Sequence, residues 1–173
     1  MRGGQRNVRE GLGCGKMKKI PDEIVQFLHA QAFVIVLTVD ARGRPHASCK
    51  GIVEIDKNGR VYLLDLYKRI TFRNLKMNSN FSIVGVNEHK FKGYCLQGRA
   101  KIIPVEEMDA ALIEAWEARI ATRITQRVLK NISGEKAHAY HPEALLPKPQ
   151  YLIALDVENI VDLTPGHIGK GAL

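Results

Sequence analysis

Hydrogen-bond donors are concentrated directly after an apolar run, Val61–Leu66, in the middle of the chain. They are Lys68, Arg69, Thr71 and Arg73, with Asn74 behind them. Lysine and arginine form charge-assisted hydrogen bonds to phosphate, and a hydroxyl adds a further donor. Backbone N–H groups at a helix start also bind anions. The stretch therefore predicts either a phosphate site at a strand exit or the solvated face of an ordinary helix.

Histidines suggest a second kind of chemistry. His138 and His141 are three residues apart, a spacing that could seat a metal or haem on a helix. Pro142 follows at once and the sequence shows no third ligand nearby, so a solvated loop pair is the favoured interpretation. His167 could act as a proton donor or haem ligand only if the C-terminal segment folds over a cleft. We therefore predict no metal site.

The three cysteines, Cys14, Cys49 and Cys95, are far apart and form no CxxC pair. This pattern argues against a disulfide framework or a cysteine zinc site, and it favours a reducing cytoplasm. Cys49 and Cys95 lie in apolar runs, which predicts small buried side chains. The sequence shows no Ser-His-Asp order and no carboxylate pair, so we name no catalytic residue.

The composition is that of a globular protein, with 45% hydrophobic and 25% charged residues in a chain of 173. This length favours a single domain that buries a core without disulfides. No apolar run approaches the ~20 residues of a membrane helix. The N-terminus lacks the apolar core of a secretory signal. We therefore expect a cytoplasmic protein without a membrane partner.

Positive charge is concentrated near the N-terminus. Residues 1–19 hold six basic residues against Glu10, so they contribute +5 of the formal net charge of +8. We predict a mobile basic tail over 1–19 and one domain over 20–173, and Met17 is an alternative start. The charge suggests nucleic acid as a partner, but base-stacking aromatics are sparse at 6% of residues, which argues against it.

Hydrophobic periodicity predicts six strands and three helices. The first strand, Ala32–Asp40, is almost wholly apolar, which predicts burial on both faces. Asn58-Gly59 predicts a hairpin turn, and Gly98 predicts a bend or bulge in the fifth strand. The other predicted strands are Pro45–Asp56, Arg60–Leu66, Phe81–Asn87, Tyr94–Pro104 and Tyr151–Leu163. The predicted helices are Pro21–Gln31, Phe72–Asn80 and Val105–Asn131.

Strands in antiparallel order with short connections predict a mainly β fold, a small closed barrel with peripheral helices. One long helix ahead of the last strand does not fit a βαβ sheet. Its apolar residues recur every four positions from Met108 to Val128, so we expect it to cover a barrel end or a subunit interface. An open α+β sandwich is the competing architecture.

Three motifs follow one another along the first two thirds of the chain. The first hairpin reads "TVDARGRPH" (Thr38–His46), and the polar strand exit is followed by "TFRNL" (Thr71–Leu75). The motif "GYCLQGRA" (Gly93–Ala100) spans the start of the fifth strand. In this order the chain resembles the FMN-binding split barrels of the pyridoxamine 5'-phosphate oxidase-like family. The motifs cover Ile20–Pro104, and the order of elements extends the resemblance to Leu163.

The resemblance implies a homodimer of six-stranded antiparallel split β-barrels that bind FMN in clefts between the subunits. It implies that His46–Ile52 lines the flavin ring and that the exit of the next strand binds the phosphate. Lys50 would then lie near the N1/C2 edge, where positive charge stabilises the reduced flavin. The implied cofactor-binding residues are His46, Ala47, Ser48, Cys49, Lys50, Gly51, Asp65, Leu66, Lys68, Arg69, Thr71 and Asn74.

This chain departs from the oxidase itself at several positions. It ends "DLTPGHIGKGAL", without the arginine- and tryptophan-containing stretch that helps the oxidase to grip pyridoxal. Ser48 and Val53 stand where the oxidase shows an arginine and a lysine. The oxidase's second basic phosphate ligand aligns with Ile70 or Thr71 of this chain. We therefore do not expect oxidation of vitamin B6.

The leading hypothesis is an FMN-dependent oxidoreductase that exchanges electrons between FMN and a small-molecule donor or acceptor. NAD(P)H is one candidate reductant. The alternative is a non-catalytic protein of the same fold that binds flavin, haem or a deazaflavin. A third hypothesis, a nucleic-acid-binding β-barrel, follows from the positive charge alone.

Overall fold

The computed structural model describes residues 16–108, 110–132 and 149–166. Within these residues the chain forms six strands, three α-helices and a 3₁₀ turn. The strands are β1 (Val34–Val39), β2 (Pro45–Asp56), β3 (Arg60–Asp65), β4 (Asn80–Asn87), β5 (Lys92–Pro104) and β6 (Tyr151–Asp162). The helices are α1 (Asp22–His29), α2 (Ile70–Met77) and α3 (Ala110–Ile132). None of these helices is long and apolar enough to span a bilayer.

The six strands close into a barrel in which every neighbouring pair is antiparallel. Their order around the ring is β1-β2-β3-β6-β5-β4, and β4 pairs with β1 to complete it. The last strand, β6, therefore returns between β3 and β5 after α3. The closed ring confirms the predicted antiparallel β-barrel with peripheral helices and excludes the open sandwich.

Inward-facing aliphatic side chains fill the barrel. Every strand contributes to one continuous core, which also includes three residues of α1. Because Ile24, Val25 and Leu28 of α1 are buried in it, this short helix covers the core from outside the ring. The strand residues at its centre include Val34, Val36, Val61, Leu63, Ile83, Leu96, Ile153 and Leu155.

The outer face of β1 is exposed, so the prediction of burial on both faces was wrong. Val34 and Val36 point into the barrel and are buried, whereas Ile35 between them is 40% exposed. Ile35 pairs with Cys49 on β2, and Cys49 is exposed as well, which contradicts its predicted burial. Side chains alternate between the two faces of a strand. Here only the inner face meets the core, and the outer face stays apolar.

The long helix α3 begins later than predicted, because the chain first forms the 3₁₀ turn Val105–Glu107. Trp116 of α3 and the preceding Met108 pack on the outside of the barrel. Beneath them lie buried residues of β2, β3 and β6: Val53, Leu64 and Leu152. The N-terminal half of α3 therefore lies on the outer face of the barrel, whereas Val128 near its end is 37% exposed.

The residues just before α1 are hydrogen-bonded to the barrel. Lys18 N donates to Val157 O at 2.7 Å, and Ile20 N donates to Lys57 O at 3.0 Å. Most of the predicted tail, residues 1–15, lies outside the described residues. The mobility of that part, and the assignment of 20–173 to one domain, stay predictions.

Gly98 lies at the predicted irregularity of β5. The register between β5 and β6 shifts at Gly98, and Glu158 is the extra residue that β6 inserts there. A Cβ at Gly98 would overlap the backbone oxygen of Asp156 on β6. The two strands approach this closely because residue 98 has no side chain.

Replacing Gly98 with alanine is expected to lower the free energy of unfolding by about 3 kcal/mol, because the new Cβ forces β5 away from β6. Gly166→Ala is the control, since nothing lies within 4 Å of a Cβ at Gly166. Urea unfolding of the two variants measures the difference. Equal stabilities would show that β5 and β6 can separate locally without cost.

Candidate functional site

A cavity of about 270 Å³, which we call the β2–α3 cavity, lies between β2, the end of β3 and α3. Several predicted site residues line it: Cys49, Lys50, Gly51, Asp65 and Leu66. The other lining residues are Ile52, Leu64, Tyr67, Trp116 and Ile120. The wall is therefore largely apolar, with one pair of opposite charges set into it.

The charged pair joins Lys50 on β2 to Asp65 at the end of β3. Lys50 Nζ lies 2.8 Å from Asp65 Oδ2, and the two side chains are only 14% and 4% exposed. Tyr151, the first residue of β6, donates its hydroxyl hydrogen to the same oxygen at 2.5 Å. Asp65 and Tyr151 are direct partners in the β3–β6 pairing. A buried carboxylate needs such partners, because an unpaired buried charge costs several kcal/mol.

Asp65 also contributes to the raised pKa of Tyr151 and contacts the backbone after β3. Burial, and then the hydrogen bond to Asp65, raise the pKa of Tyr151 above its ordinary value. Tyr151 therefore remains a hydroxyl donor at neutral pH. The other carboxylate oxygen of Asp65 accepts a hydrogen bond from Tyr67 N at 3.3 Å. One carboxylate thus holds Lys50 and the exit of β3 in fixed positions.

Ser48 and Thr71 form a neutral pair between β2 and α2. Their hydroxyl oxygens lie 3.1 Å apart, and Thr71 is only 4% exposed. Further along α2, the Asn74 amide donates to Thr38 Oγ1 at 3.0 Å. These bonds anchor α2 to β1 and β2. The Ser48–Thr71 bond uses one of the two hydroxyl hydrogens, which leaves the other for a ligand.

Lys68 and Arg69 are exposed at the turn before α2. The Arg69 guanidinium lies 5.0 Å from the centre of the Tyr67 ring, and Lys68 Nζ lies 5.8 Å from that of Phe72. Exposed cation–π contacts contribute only about 0.5–1 kcal/mol, so both side chains can turn toward an anion. They stand beside the β2–α3 cavity and do not line it.

The remaining predicted residues lie elsewhere on β2 and α2. His46 and Asn74 line a second concavity, of about 640 Å³, between the β1–β2 turn and α2. Ala47 pairs with Leu37 and is exposed on the outer face of β2. The predicted site residues are therefore neighbours along the chain that the structure distributes over two concavities, one turn and one outer face.

Several residues of the β2–α3 site were not predicted as site residues from the sequence, among them Tyr151 and Trp116. Tyr151 opens the last strand, but no sequence signal shows that this strand pairs with β3. Trp116 is assigned to packing by the helical stripe, and the structure shows that it both packs and lines the cavity. The candidate ligands His138, His141 and His167 lie outside the described residues.

Asp65→Asn is expected to lower the free energy of unfolding by about 3 kcal/mol, because it leaves the Lys50 ammonium buried without a counter-charge. The double variant Lys50→Met/Asp65→Asn should regain most of this loss, since neither charge then remains buried. Urea unfolding at neutral pH measures both values.

Asp22→Asn is the matched control for Asp65→Asn. It breaks the pair between Asp22 Oδ1 and Lys57 Nζ, which is 2.6 Å long but has side chains that are 70% and 64% exposed. Exposed pairs contribute about 0–1 kcal/mol. Losses of equal size at Asp65 and Asp22 would contradict a buried charge network at the cavity.

Comparison with known proteins gives one family and several related structures. The family model described as pyridoxamine 5'-phosphate oxidase matches residues 20–147. A comparison with curated proteins gives no match. HupZ of Group A Streptococcus is 20% identical, with a TM-score of 0.58 over 85% of this chain and 96% of that chain.

Two further solved structures have the same architecture. A conserved hypothetical protein of Mycobacterium tuberculosis is 17% identical, with a TM-score of 0.55 over 91% of this chain and 92% of that chain. An F420 reductase is 13% identical, with a TM-score of 0.51 over 82% of this chain and 98% of that chain. At these identities the likeness is one of fold. The family match, which spans more than half of the chain, confirms the resemblance seen in the motifs, and the chain belongs to the pyridoxamine 5'-phosphate oxidase family.

Proposed function

We propose that the protein binds FMN in the β2–α3 cavity and transfers electrons between FMN and a small molecule. One observation carries the proposal. The cavity lies on the β2 segment that the family resemblance assigns to the flavin ring, and a largely buried lysine, paired with Asp65, is among its lining residues. NAD(P)H is one candidate reductant.

The lining of the cavity fits a flat aromatic ring. Ile52, Leu64, Trp116 and Ile120 supply apolar walls, while Gly51 is small enough for close approach of the backbone. Ligand pockets typically have volumes of about 300–1,000 Å³. The cavity of one chain, about 270 Å³, is close to the lower limit, which favours a second subunit as an additional wall.

Lys50 would provide the polar contact to the ring. An ammonium group has three N–H donors, and Asp65 takes one of them. The other donors can face an electronegative ring edge, while Asp65 and Tyr151 prevent the side chain from turning away. When bound, FMN supplies the hydride and electron chemistry, and a nearby positive charge favours its reduced form.

The phosphate of FMN would bind at the turn before α2. Lys68 and Arg69 are exposed there, and the N–H groups of the first turn of α2 add further donors. The hydroxyl hydrogen of the Ser48–Thr71 pair that is not used between them adds one more. This phosphate site relies on the exposed cations Lys68 and Arg69, because Ser48, and either Ile70 or Thr71, stand where the oxidase has basic residues.

The purified protein is expected to show the absorption of an oxidised flavin and to release FMN, identified by mass, on heating. The double variant Lys50→Met/Asp65→Asn should raise the Kd for FMN about tenfold or more, because a charge-assisted hydrogen bond of about 1.5–3 kcal/mol is lost. Lys101→Met removes the same charge from a side chain that is 71% exposed and is the control. Quenching of flavin fluorescence measures both affinities.

A colourless protein that takes up no added FMN would contradict the proposed cofactor. If FMN binds but neither NADPH nor NADH reduces it, both are excluded as reductants, and the proposed cofactor is unaffected. These two readouts separate the cofactor from the reaction.

A second candidate function is the binding of a deazaflavin or haem without turnover. The neutral Ser48–Thr71 pair favours keeping this candidate, because the resemblance places an arginine of the oxidase at Ser48 and a basic phosphate ligand at Ile70 or Thr71. The similarity to an F420 reductase extends to the fold alone. A Soret band, or a deazaflavin in the mass spectrum of the released cofactor, would select it over FMN.

We also propose that two copies associate through the outer face of β1 and β2. Ile35 and Cys49 are paired and exposed there, and Leu37 pairs with the exposed Ala47. Phe33, just before β1, is 59% exposed and enlarges the apolar surface. Cys49 also lines the β2–α3 cavity, so a partner on this face would lie against the cavity.

Ile35→Glu is expected to convert the dimer to a monomer, because it buries an unpaired charge in the centre of the proposed interface. Phe91→Glu is the control, since Phe91 is also apolar and is 64% exposed, on the turn between β4 and β5. Sedimentation equilibrium measures the mass of each variant. A dimer that persists in Ile35→Glu but not in Phe91→Glu would place the interface on the other side of the barrel.

A cytoplasmic location accords with the cysteines. Cys49 and Cys95 are both free thiols, one exposed and one buried. Burial raises the pKa of the Cys95 thiol, so it stays protonated and unreactive. An exposed free thiol such as Cys49 is maintained most readily in a reducing compartment.

A further inference from the structure

Gln150, the residue just before β6, and Tyr151, the first residue of β6, both contact the chain where it leaves β3. Gln150 N donates to the backbone oxygen of Asp65 at 3.1 Å, and Tyr151 is paired with Asp65 in the β3–β6 ladder. These backbone bonds fix the position of Gln150 beside the end of β3. The side chain of Gln150 therefore starts from a fixed point next to the turn that carries Lys68 and Arg69.

The side chain of Gln150 accepts a hydrogen bond from this turn. Lys68 N donates to Gln150 Oε1 at 3.3 Å, and the two residues are 82 positions apart in the sequence. The bond involves the backbone of Lys68 and not its ammonium group. Gln150 therefore fixes the point from which the Lys68 side chain extends, while the ammonium group can still turn toward a ligand.

The neighbouring N–H groups of the turn are also hydrogen-bonded. Tyr67 N donates to Asp65 Oδ1 at 3.3 Å, and Arg69 N donates to Tyr67 O at 2.8 Å. Three successive backbone donors, at residues 67, 68 and 69, therefore shape the turn. The bond to Gln150 differs from the other two because its acceptor lies outside residues 65–69. Removing this acceptor releases the middle of the turn and leaves the contacts of Asp65 in place.

The turn leads directly into the first N–H groups of α2. The first bond within this helix joins Arg73 N to Arg69 O at 3.1 Å. The N–H groups of residues 70–72 precede that bond, so they have no acceptor within the helix. Among the described residues, no side chain caps α2 at Arg69. The turn that Gln150 holds is therefore continuous with the N–H donors that the proposed function assigns to the FMN phosphate.

Tyr151 adds a contact to the first turn of α2. Its ring lies against that of Phe72, with the two centroids 5.0 Å apart and an angle of 65° between the rings. Its hydroxyl is bonded to Asp65, as described above. The start of β6 therefore contacts the segment 65–72 at its beginning through Asp65, in its middle through Lys68 and at its end through Phe72.

We propose that Gln150 is a positioning residue through which the site selects FMN over riboflavin, the flavin without a phosphate. By accepting from Lys68 N it holds the turn in the conformation that presents Lys68, Arg69 and the first N–H groups of α2 to one phosphate. Gln150 acts through the turn and does not bind the phosphate itself. A turn that is ordered in advance raises affinity, because the ligand does not have to order it. The inference rests on the proposed FMN site and names a residue that sets its specificity.

Fluorescence titration of the full chain with FMN and with riboflavin tests the inference. Gln150→Met keeps the approximate length of the side chain and removes the acceptor. It should raise the Kd for FMN about threefold or more, because a neutral hydrogen bond that orders the turn is lost. The Kd for riboflavin should stay within about twofold of the wild-type value, because riboflavin has no phosphate to place at the turn. The ratio of the two Kd values is the readout of specificity.

Gln97→Met is the matched control. Gln97 is an exposed glutamine of β5, and its Oε1 accepts a hydrogen bond from Asn159 Nδ2 at 3.1 Å. The same substitution there removes a bond of the same kind at a residue that does not line the β2–α3 cavity. Both Kd values should equal those of the wild-type protein.

Amide hydrogen exchange of the flavin-free protein, read by mass spectrometry, tests the physical cause separately. Gln150→Met should speed exchange in the segment 66–72 severalfold, because Lys68 N loses its acceptor. Gln97→Met should leave exchange in this segment unchanged. Unchanged exchange in Gln150→Met would show that the bond does not hold the turn, and it would overturn the inference.

Failure of this inference and failure of the proposed function give different results. Equal weakening of FMN and riboflavin in Gln150→Met would mean that Gln150 supports the fold in general, and it would overturn the role in specificity. An unchanged ratio in a protein that binds FMN would overturn the inference alone. A wild-type protein that binds neither flavin would contradict the proposed FMN site, and the inference would fall with it.

Discussion

The Asp65 carboxylate is the constraint on which the proposed site depends. It is buried at the point where β3 ends, so it requires partners that replace water. Lys50 comes from β2, Tyr151 from β6 and the backbone N–H of Tyr67 from the following turn. A single side chain therefore links three strands and one strand exit. Any ligand in the β2–α3 cavity meets a wall whose charge is already positioned.

The side chains of β2 alternate between its two faces, so neighbouring residues of this strand contribute to different parts of the surface. On its inner side His46 lines the second concavity, Ser48 is hydrogen-bonded to Thr71 of α2, and Lys50 pairs with Asp65. On its outer side Ala47 and Cys49 extend the apolar surface of β1. One strand thus contributes to two concavities, one helix contact and one exposed apolar face. No residue has to serve more than two of them.

The sequence predicts the architecture well because hydrophobic periodicity and turn residues are local signals. β2 has the predicted bounds, and Gly98 lies at a register shift. The proposed site is less predictable because its contacts are non-local. Nothing near Asp65 in the sequence indicates Tyr151, which is 86 residues away and arrives only because β6 inserts beside β3. The exposure of Ile35 is not predictable from the sequence either, because an apolar run does not show whether one or both faces of a strand are buried.

Closure of the barrel limits how copies of this chain can associate. β1 is hydrogen-bonded to β2 on one side and to β4 on the other, so its backbone groups are occupied. In an open sheet an apolar edge strand recruits further strands and can extend without end. Here the apolar surface around Ile35 is a face and not an edge. Contact through it buries side chains once and then stops, which favours a finite, symmetric assembly over a growing one.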